Sequence, residues 1–108
     1  MNARTRIALG GAISKWKNIV AGKDTDRGVT NCPLCELFYD HLCKGCPVSA
    51  ETGQTACQGT PYQDQFVPAK TAHYYAALSG RTYHMDAAKA DMKVAAKVEL
   101  KFLQGLLP

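Results

Sequence analysis

The 108-residue sequence lacks any apolar run near the roughly 20 residues that cross a bilayer. Its N-terminal apolar stretch, residues 7–12, is short, is interrupted by glycines and is followed by Lys15-Trp16-Lys17, which does not fit a signal peptide. These absences predict a cytoplasmic protein without membrane contact. The alternation of apolar and polar residues that marks strands is almost missing too. At most, Val29 or Val48 would belong to a short ribbon.

Motifs of common catalytic sites are also missing. The sequence contains no G-x-S-x-G, P-loop, H-E-x-x-H or dinucleotide fingerprint. Its three histidines, His41, His73 and His84, are scattered, unlike the histidine pair of an HNH-type nuclease. A cysteine nucleophile with His41 or His73 as its base would need a hydrogen-bonded arrangement that no local motif indicates. The sequence therefore predicts a protein that is not an enzyme.

Cysteine is confined to one part of the chain, since all five lie between residues 32 and 57. Two C-x2-C pairs, Cys32-Pro-Leu-Cys35 and Cys43-Lys-Gly-Cys46, are separated by seven residues, and Cys57 follows them. One such pair can direct both sulfurs at one ion, and two pairs complete a zinc tetrahedron with bonds of about 2.3 Å. In a reducing compartment this cluster indicates metal binding rather than disulfides.

Any four of the five cysteines are candidates for the ligands. The set is either the two C-x2-C pairs, or Cys32, Cys35 and Cys57 with one of Cys43 and Cys46. Tetrahedral sulfur ligation suits zinc or an iron–sulfur cluster, and the missing C-x2-C-x2-C run of bacterial ferredoxins favours zinc. A site closed by four cysteines has no position for a reacting water, so we expect one structural zinc ion.

Helical periodicity predicts a mainly α-helical fold in a single domain, residues 1–108. Leu9, Ile13, Trp16 and Val20 recur at the spacing of one helix face. The predicted parts are an N-terminal helix, a metal-binding loop region with a short helix near its start, and the C-terminal helices: residues 1–22, 31–59 (short helix 33–42) and 60–108.

Local signals indicate where the C-terminal helices begin. Thr60-Pro61-Tyr62-Gln63 combines an N-cap threonine, a proline for the first helical position and a glutamine that completes a capping box. Pro68 is expected to kink this helix or to begin another one through Leu78. Asp86 is expected to cap the last and longest helix, residues 87–106.

The last predicted helix carries a lysine at every fourth position: Lys89, Lys93, Lys97 and Lys101. Such a ladder is ordinarily a solvated helix face. The alternative is a phosphate-binding face, joined by Arg4, Arg6, Lys15 and Lys17 if the terminal helices pack side by side. Net charge does not decide between them, because four thiolates bound to one Zn²⁺ would lower the formal +4 to about +2.

Motifs along most of the chain follow a characteristic order: Trp16, Asn31-Cys-Pro-Leu-Cys-Glu-Leu-Phe38, Cys43-Lys-Gly-Cys-Pro-Val48, Gly53, Cys57, Thr60-Pro-Tyr62 and Phe102-Leu103. This order resembles a set of small cysteine-rich proteins encoded by bacteriophages and prophages. The resemblance implies a setting in the host bacterial cytoplasm and a role in host interaction or in countering host defence. It implies no activity and no particular target.

Taken together, these features predict a small zinc-stabilised binding module that contacts a host or phage protein. The tyrosines of the middle of the chain are anchors for a protein partner, stacking platforms for bases, or half-buried core residues: Tyr62, Tyr74, Tyr75 and Tyr83. The alternative function is a small basic nucleic-acid-binding protein that uses the lysine face. A cysteine-dependent enzyme or redox switch is a third interpretation, and it requires one fast-reacting thiol.

Overall fold

The structure, a computed structural model, describes the backbone of all 108 residues and every side chain except that of Val29. The α-helices are α1 (Ala3–Val20), α2 (Pro33–Phe38), α3 (Pro47–Thr52), α4 (Val67–Leu78) and α5 (Thr82–Gln104). Shorter helical turns lie at Gly28–Asn31, Tyr39–His41 and Tyr62–Phe66. The backbone so described contains no β-strand, so the predicted mainly helical fold is confirmed and the ribbon at Val29 or Val48 is not formed.

Helix α1 supplies one wall of the core. Its first turn is capped by Asn2, whose Oδ1 accepts a hydrogen bond from the Thr5 amide at 2.8 Å. Leu9, Ile13 and Trp16 are buried along one face. The helix ends at Val20, so the structure confirms a helix within residues 1–22.

Helix α5 lies at the centre of the molecule and packs against both α1 and α4. Its buried positions carry mainly small side chains, including Ala88, Ala95 and Ala96, which allow neighbouring helices to approach closely. Leu103 is buried near its C-terminal end. Phe66, only 1% exposed, fills the space where the chain enters α4. The core is therefore built around one long, alanine-rich helix.

The last helix starts earlier than the sequence predicts. It begins at Thr82, and Asp86 is an exposed residue inside it rather than its cap. Gly80, with φ +67°, ends the preceding turn, and no helix breaker follows before Asp86. A new helix can therefore begin as soon as the turn is complete, and it continues to Gln104.

The predicted helix start at Thr60 is confirmed, although only half of the capping box forms. Thr60 Oγ1 accepts a hydrogen bond from the Gln63 amide at 3.4 Å. The Gln63 side chain instead donates to the Ala56 carbonyl at 3.1 Å. The first turn, Tyr62–Phe66, is a wide π-helical turn, and Pro68 lies in the first turn of α4. A wide turn suits this point, since proline has no N–H to continue the α-helical ladder.

The cysteine segment, residues 31–59, contains more helix than its loop-like composition predicts. Helix α2 covers the first part of the predicted 33–42 helix, and α3 lies inside the stretch predicted to be loop. Pro47 occupies the first position of α3, and Gly53 follows its end with φ +71°. Proline at the start and glycine past the end are the expected limits of a short helix, so the sequence did contain a signal for α3.

Candidate metal centre

The five cysteines come together at one cavity. Cys32, Cys35, Cys43, Cys46 and Cys57 all line a space of about 240 Å³, and all five are free thiols. The rest of the wall is largely apolar, with side chains from α1, α2, α3, the π-helical turn and α5: Trp16, Leu34, Phe38, Val48, Tyr62 and Leu103. Cysteines up to 25 positions apart in the sequence therefore line one site.

Two of the cysteines hold equivalent local positions. Cys32 and Cys46 each stand immediately before a proline that opens a short helix, α2 and α3 respectively. Neither side chain caps its helix through a hydrogen bond, although backbone N–H groups of the first helical turn lie close enough to each sulfur to favour its negative charge. Such N–H donors at a helix start stabilise negative charge. Burial nevertheless raises the pKa of the Cys46 thiol, so the repeated Cys-Pro step does not make the two thiols equally acidic.

The Cys32 and Cys35 thiols form a hydrogen-bonded pair with opposite titration behaviour. The hydrogen bond from Cys35 lowers the pKa of Cys32 to about 6, against the effect of burial, with help from backbone N–H groups and the Lys15 charge. The same bond, together with burial, raises the pKa of Cys35 far above its usual range. Burial and the neighbouring Cys32 thiolate raise the pKa of Cys57 to about 12. Cys32 is therefore the most acidic of these three thiols.

Backbone strain is concentrated at two of the cysteines. Leu42 and Cys43 have φ values of +55° and +64°, and Ala56 and Cys57 have φ values of +55° and +60°. Non-glycine residues in this left-handed region cost roughly 1–3 kcal/mol each and persist only where their surroundings fix them. Both strained pairs end in a cysteine that lines the cavity, so the turns that deliver Cys43 and Cys57 are held against their local preference.

Cysteine thiols suit a soft metal, but the five thiols are spread around the cavity wall and do not converge on one point. No group of three or more His, Cys, Asp or Glu side chains among the described residues has an arrangement that would hold a metal ion. Zinc–sulfur bonds of about 2.3 Å would require the thiols to turn inward from the wall. The residue types therefore fit zinc, whereas the choice of four ligands stays a prediction.

A buried ion-pair network, which no local sequence pattern predicted, lies beside the cavity. The Asp26 side chain is fully buried and accepts hydrogen bonds from Lys15 Nζ at 2.8 Å, Lys70 Nζ at 3.0 Å and the Tyr62 hydroxyl at 2.8 Å. Burial alone would raise the pKa of Asp26, but these three donors lower it to about 2. Lys15, predicted to join an exposed basic face, is thus buried and paired.

Aromatic packing connects this network to the cavity wall. Trp16 meets Tyr62 and Phe66 edge to face, with ring centroids 5.6 Å and 4.9 Å apart. Trp16 and Tyr62 also line the cavity. Edge-to-face aromatic pairs fix ring orientation in addition to burying apolar area. The cavity therefore has one rigid wall, formed by α1 and the turn that precedes α4.

Glu99 is a cavity residue that sequence reasoning missed. It is 4% exposed, lines the cavity and accepts a hydrogen bond from the Tyr62 amide through Oε2 at 3.0 Å. Burial raises the pKa of Glu99 to about 7. Its position three and four residues from Ala96 and Ala95, on the buried face of α5, is a signal that would have revealed it.

The other predicted residues lie away from this site. Lys89, Lys93, Lys97 and Lys101 are all exposed on α5. No histidine belongs to the described cavity wall, so the suggested Cys–His pairs are not formed there. Around the turn between α4 and α5, several large side chains are exposed by 60–80%: Tyr74, Tyr75, Leu78 and Tyr83. These tyrosines are surface residues, whereas Tyr62 is half-buried against the core.

Comparison with known proteins identifies no further candidate residue. In the described part of the chain, no helix is both long and apolar enough to cross a membrane. No protein-family model matches the chain, nor does any curated protein or solved structure.

Proposed function

We propose that this chain is a small zinc-stabilised binding module that acts through contact with a protein partner. The observation that carries the proposal is the convergence of all five cysteines on one cavity. Four thiolates around one zinc ion make a closed site without a position for a reacting water, so the ion would be structural and the protein not an enzyme.

The cysteine segment gains most from such an ion. Its only buried residues are Leu34, Cys46 and Val48 among the side chains described. Zinc in small domains contributes an apparent ~10–16 kcal/mol coupled to folding, which is as large as the whole stability of a typical domain, roughly 5–15 kcal/mol. So few buried side chains contribute little hydrophobic stabilisation, so metal binding would supply most of the stability of this segment.

The partner surface in this proposal is the exposed tip of the α4–α5 hairpin, formed by Tyr74, Tyr75, Leu78 and Tyr83. Tyrosine is enriched among the residues that dominate binding energy at protein interfaces. An exposed group of large apolar side chains is also typical of interaction sites. The resemblance to bacteriophage proteins favours a host or phage protein as the partner, in the bacterial cytoplasm.

Native mass spectrometry of the protein purified under reducing conditions tests the metal. We expect a mass gain of at least one zinc ion with loss of the corresponding thiol protons. A metal-free mass lowered by two hydrogens per bridge would show a disulfide protein and overturn the proposal. For the surface, Tyr74→Ala with Tyr75→Ala is expected to abolish capture of a partner from a bacterial lysate, whereas the exposed control Ile7→Ala retains it.

Binding to nucleic acid is the second candidate, and the exposed lysine row on α5 favours it. Arg4, Arg6 and Lys17 are also exposed on α1, which packs against α5. Binding through these charges would fall steeply with salt. Reversal of Lys93 and Lys97 to Glu is expected to abolish a mobility shift at low salt, while reversal of Lys44 leaves it. Absence of any low-salt shift with the unaltered protein excludes this function.

A further inference from the structure

The side of α5 that faces away from the core carries an exposed apolar stripe. The buried residues of this helix, such as Ala88, Ala95 and Ala96, lie on the side that packs against α1 and α4. On the opposite side, exposed residues recur at helical spacing and form what we call the outer stripe: Tyr83, Ala87, Ala90, Val94 and Val98. Tyr83 is 80% exposed and Val94 is 62% exposed. A solvated helix face ordinarily carries polar side chains, so the outer stripe fits a contact with another helix.

The outer stripe is complementary to its own reverse. A two-fold axis at the level of Met92 would place α5 of a second copy antiparallel to the first. Ala90 then lies opposite Val94 of the second copy, and Ala87 lies opposite Val98. Each small side chain meets a larger one, which lets two helices approach closely and still fill the space between them. A two-fold contact uses the same patch on both copies, and this stripe meets that requirement.

Charged residues beside the outer stripe match in the same arrangement. Asp86 and Lys97 are 11 residues apart, about three helical turns, so both lie on one flank of the stripe. Both are exposed, and the ion pairs of the described side chains all involve Asp26. The axis at Met92 brings Asp86 of each copy beside Lys97 of the other, which makes two ion pairs. This charge complementarity indicates that the occupant of the stripe is a second copy of the chain.

The length of the outer stripe and its other flank both limit the strength of this contact. From Tyr83 to Lys101, which would lie opposite each other, the helix is about 27 Å long at 1.5 Å per residue. A single pair of helices of this length makes an interface at the small end of the range for stable complexes. On the other flank, Asp91 would approach Asp91 of the second copy, and like charges oppose association. We therefore expect a reversible dimer with a dissociation constant in the micromolar range.

We propose that this chain forms an antiparallel homodimer through the outer face of α5, with the outer stripe as its apolar seam and Asp86–Lys97 ion pairs at its edges. The dimer goes beyond the proposed zinc-stabilised module and uses no cysteine. Tyr74 and Tyr75 belong to α4 and lie outside the stripe, so both copies keep them for the proposed protein partner. Two linked copies would bind a partner that has two sites more tightly than one copy does.

Sedimentation equilibrium of the unaltered protein under reducing conditions tests the association. The average mass should rise from 11.7 kDa toward twice that value between micromolar and millimolar concentration. Asp86→Lys and Lys97→Asp each place like charges at both edges, and each is expected to weaken the dimer roughly tenfold. The double variant restores opposite charges and should recover the original affinity. A mass that stays at one chain throughout would overturn the proposal, as would a double variant no tighter than either single one.

Controls on the same helix separate the paired edge from net charge. Lys89→Asp changes the net charge as Lys97→Asp does, at an exposed position away from the outer stripe, and should leave the dimer intact. Equal weakening by both would contradict the assigned edge. Asp91→Asn should tighten the dimer, because it removes the like charges near the axis.

A charge within the seam tests the surface itself. Ala90→Glu is expected to abolish the dimer, while circular dichroism shows unchanged helix content because the position is exposed. A dimer that survives Ala90→Glu would use another surface and overturn the proposal. The zinc content of the same samples reports on the proposed function separately. A monomer that holds zinc would exclude the dimer alone, whereas a dimer without zinc would exclude the zinc-stabilised module alone.

Discussion

The helical frame, composed of α1, α4 and α5, and the cysteine segment, residues 31–59, are built on different principles. The frame consists of helices of 12 to 23 residues that bury Leu9, Trp16, Ala96 and Leu103. The segment has two six-residue helices and left-handed non-glycine residues. Isolated helices this short do not hold themselves together in water. Packing explains the frame, whereas the segment is the region that the proposed zinc ion would stabilise most.

Metal removal should produce the largest contrast between the two regions. We expect a zinc chelator to remove hydrogen-exchange protection from α2 and α3, because zinc binding contributes an apparent ~10–16 kcal/mol in small domains. The buried faces of α1 and α5 should stay partly protected. Restoring zinc is the control and should return the protection. Unchanged exchange in α2 and α3 would mean that packing alone holds the segment, as it holds the frame.

Truncation of a core aromatic side chain should destabilise the helical frame, just as chelation should destabilise the cysteine segment. Phe66→Ala removes a side chain that is 1% exposed and is expected to lower the free energy of unfolding by ~3–5 kcal/mol. Urea denaturation of the zinc-loaded protein measures this change. The control Tyr75→Ala, at a position 64% exposed, should stay within about 0.5 kcal/mol. Similar losses for both variants would contradict the assigned core.

Acid should weaken the ion-pair network at the border of the two regions. Asp26 has a pKa of about 2 in the fold against 3.8 in an unfolded chain. Because the folded value is lower, the carboxylate stabilises the fold above pH 3.8, and this contribution is lost as the pH falls toward 2. Its size is about 2 kcal/mol. The stability difference between the unaltered protein and Asp26→Asn should therefore shrink between pH 5 and pH 2, as followed by urea unfolding.

An exposed carboxylate provides the control for this pH dependence. Asp86→Asn, on the surface of α5, should differ from the unaltered protein by the same small amount throughout that range. If the difference in free energy of unfolding between the unaltered protein and Asp26→Asn stayed constant from pH 5 to pH 2, the network would not govern the acid response.

The smallest expected effect concerns the contact between α1 and α2. A Cβ on Gly11 would lie 2.9 Å from Pro33 Cγ, whereas a Cβ on Gly10 has open space around it. Gly10→Ala should stabilise the protein by roughly 0.5–1 kcal/mol through helix propensity. Gly11→Ala should destabilise it by about 1 kcal/mol, because the rigid proline ring must move. Opposite shifts of the urea midpoint would establish this contact, and equal shifts would refute it.

Much of the frame could be predicted from the sequence because its signals are local. The spacing of Leu9, Ile13 and Trp16 and the cap at Thr60 each depend on neighbouring residues, and the structure agrees with both. Errors arose where a plausible cap competed with a longer helix: Asp86 is a good N-cap residue, yet the chain was already helical from Thr82. The existence of the frame helices was therefore predictable, whereas the start of α5 was not.

The candidate site was predictable only as a set of cysteines. Their spacing indicated a common ligand, and all five do share one cavity. Asp26 and Lys15 looked like ordinary surface charges because nothing local distinguishes them, whereas Glu99 had a local signal in its spacing from Ala95 and Ala96. Asp26 is 36 and 44 residues from its partners Tyr62 and Lys70. Such contacts depend on how helices pack, which the pattern along one helix does not contain.

The hydrogen bond between Asp26 and Tyr62 closes a loop that contains every cysteine of the chain. Bringing together the ends of a 36-residue loop costs about 3 kcal/mol of chain entropy for its length dependence alone. Neither residue is a proposed ligand, and the frame holds this closure in place through Lys15 of α1 and Lys70 of α4, which both bind Asp26. An ion entering the cavity would then gather thiols on a loop whose ends are already joined, so less of its binding energy is consumed by ordering the chain.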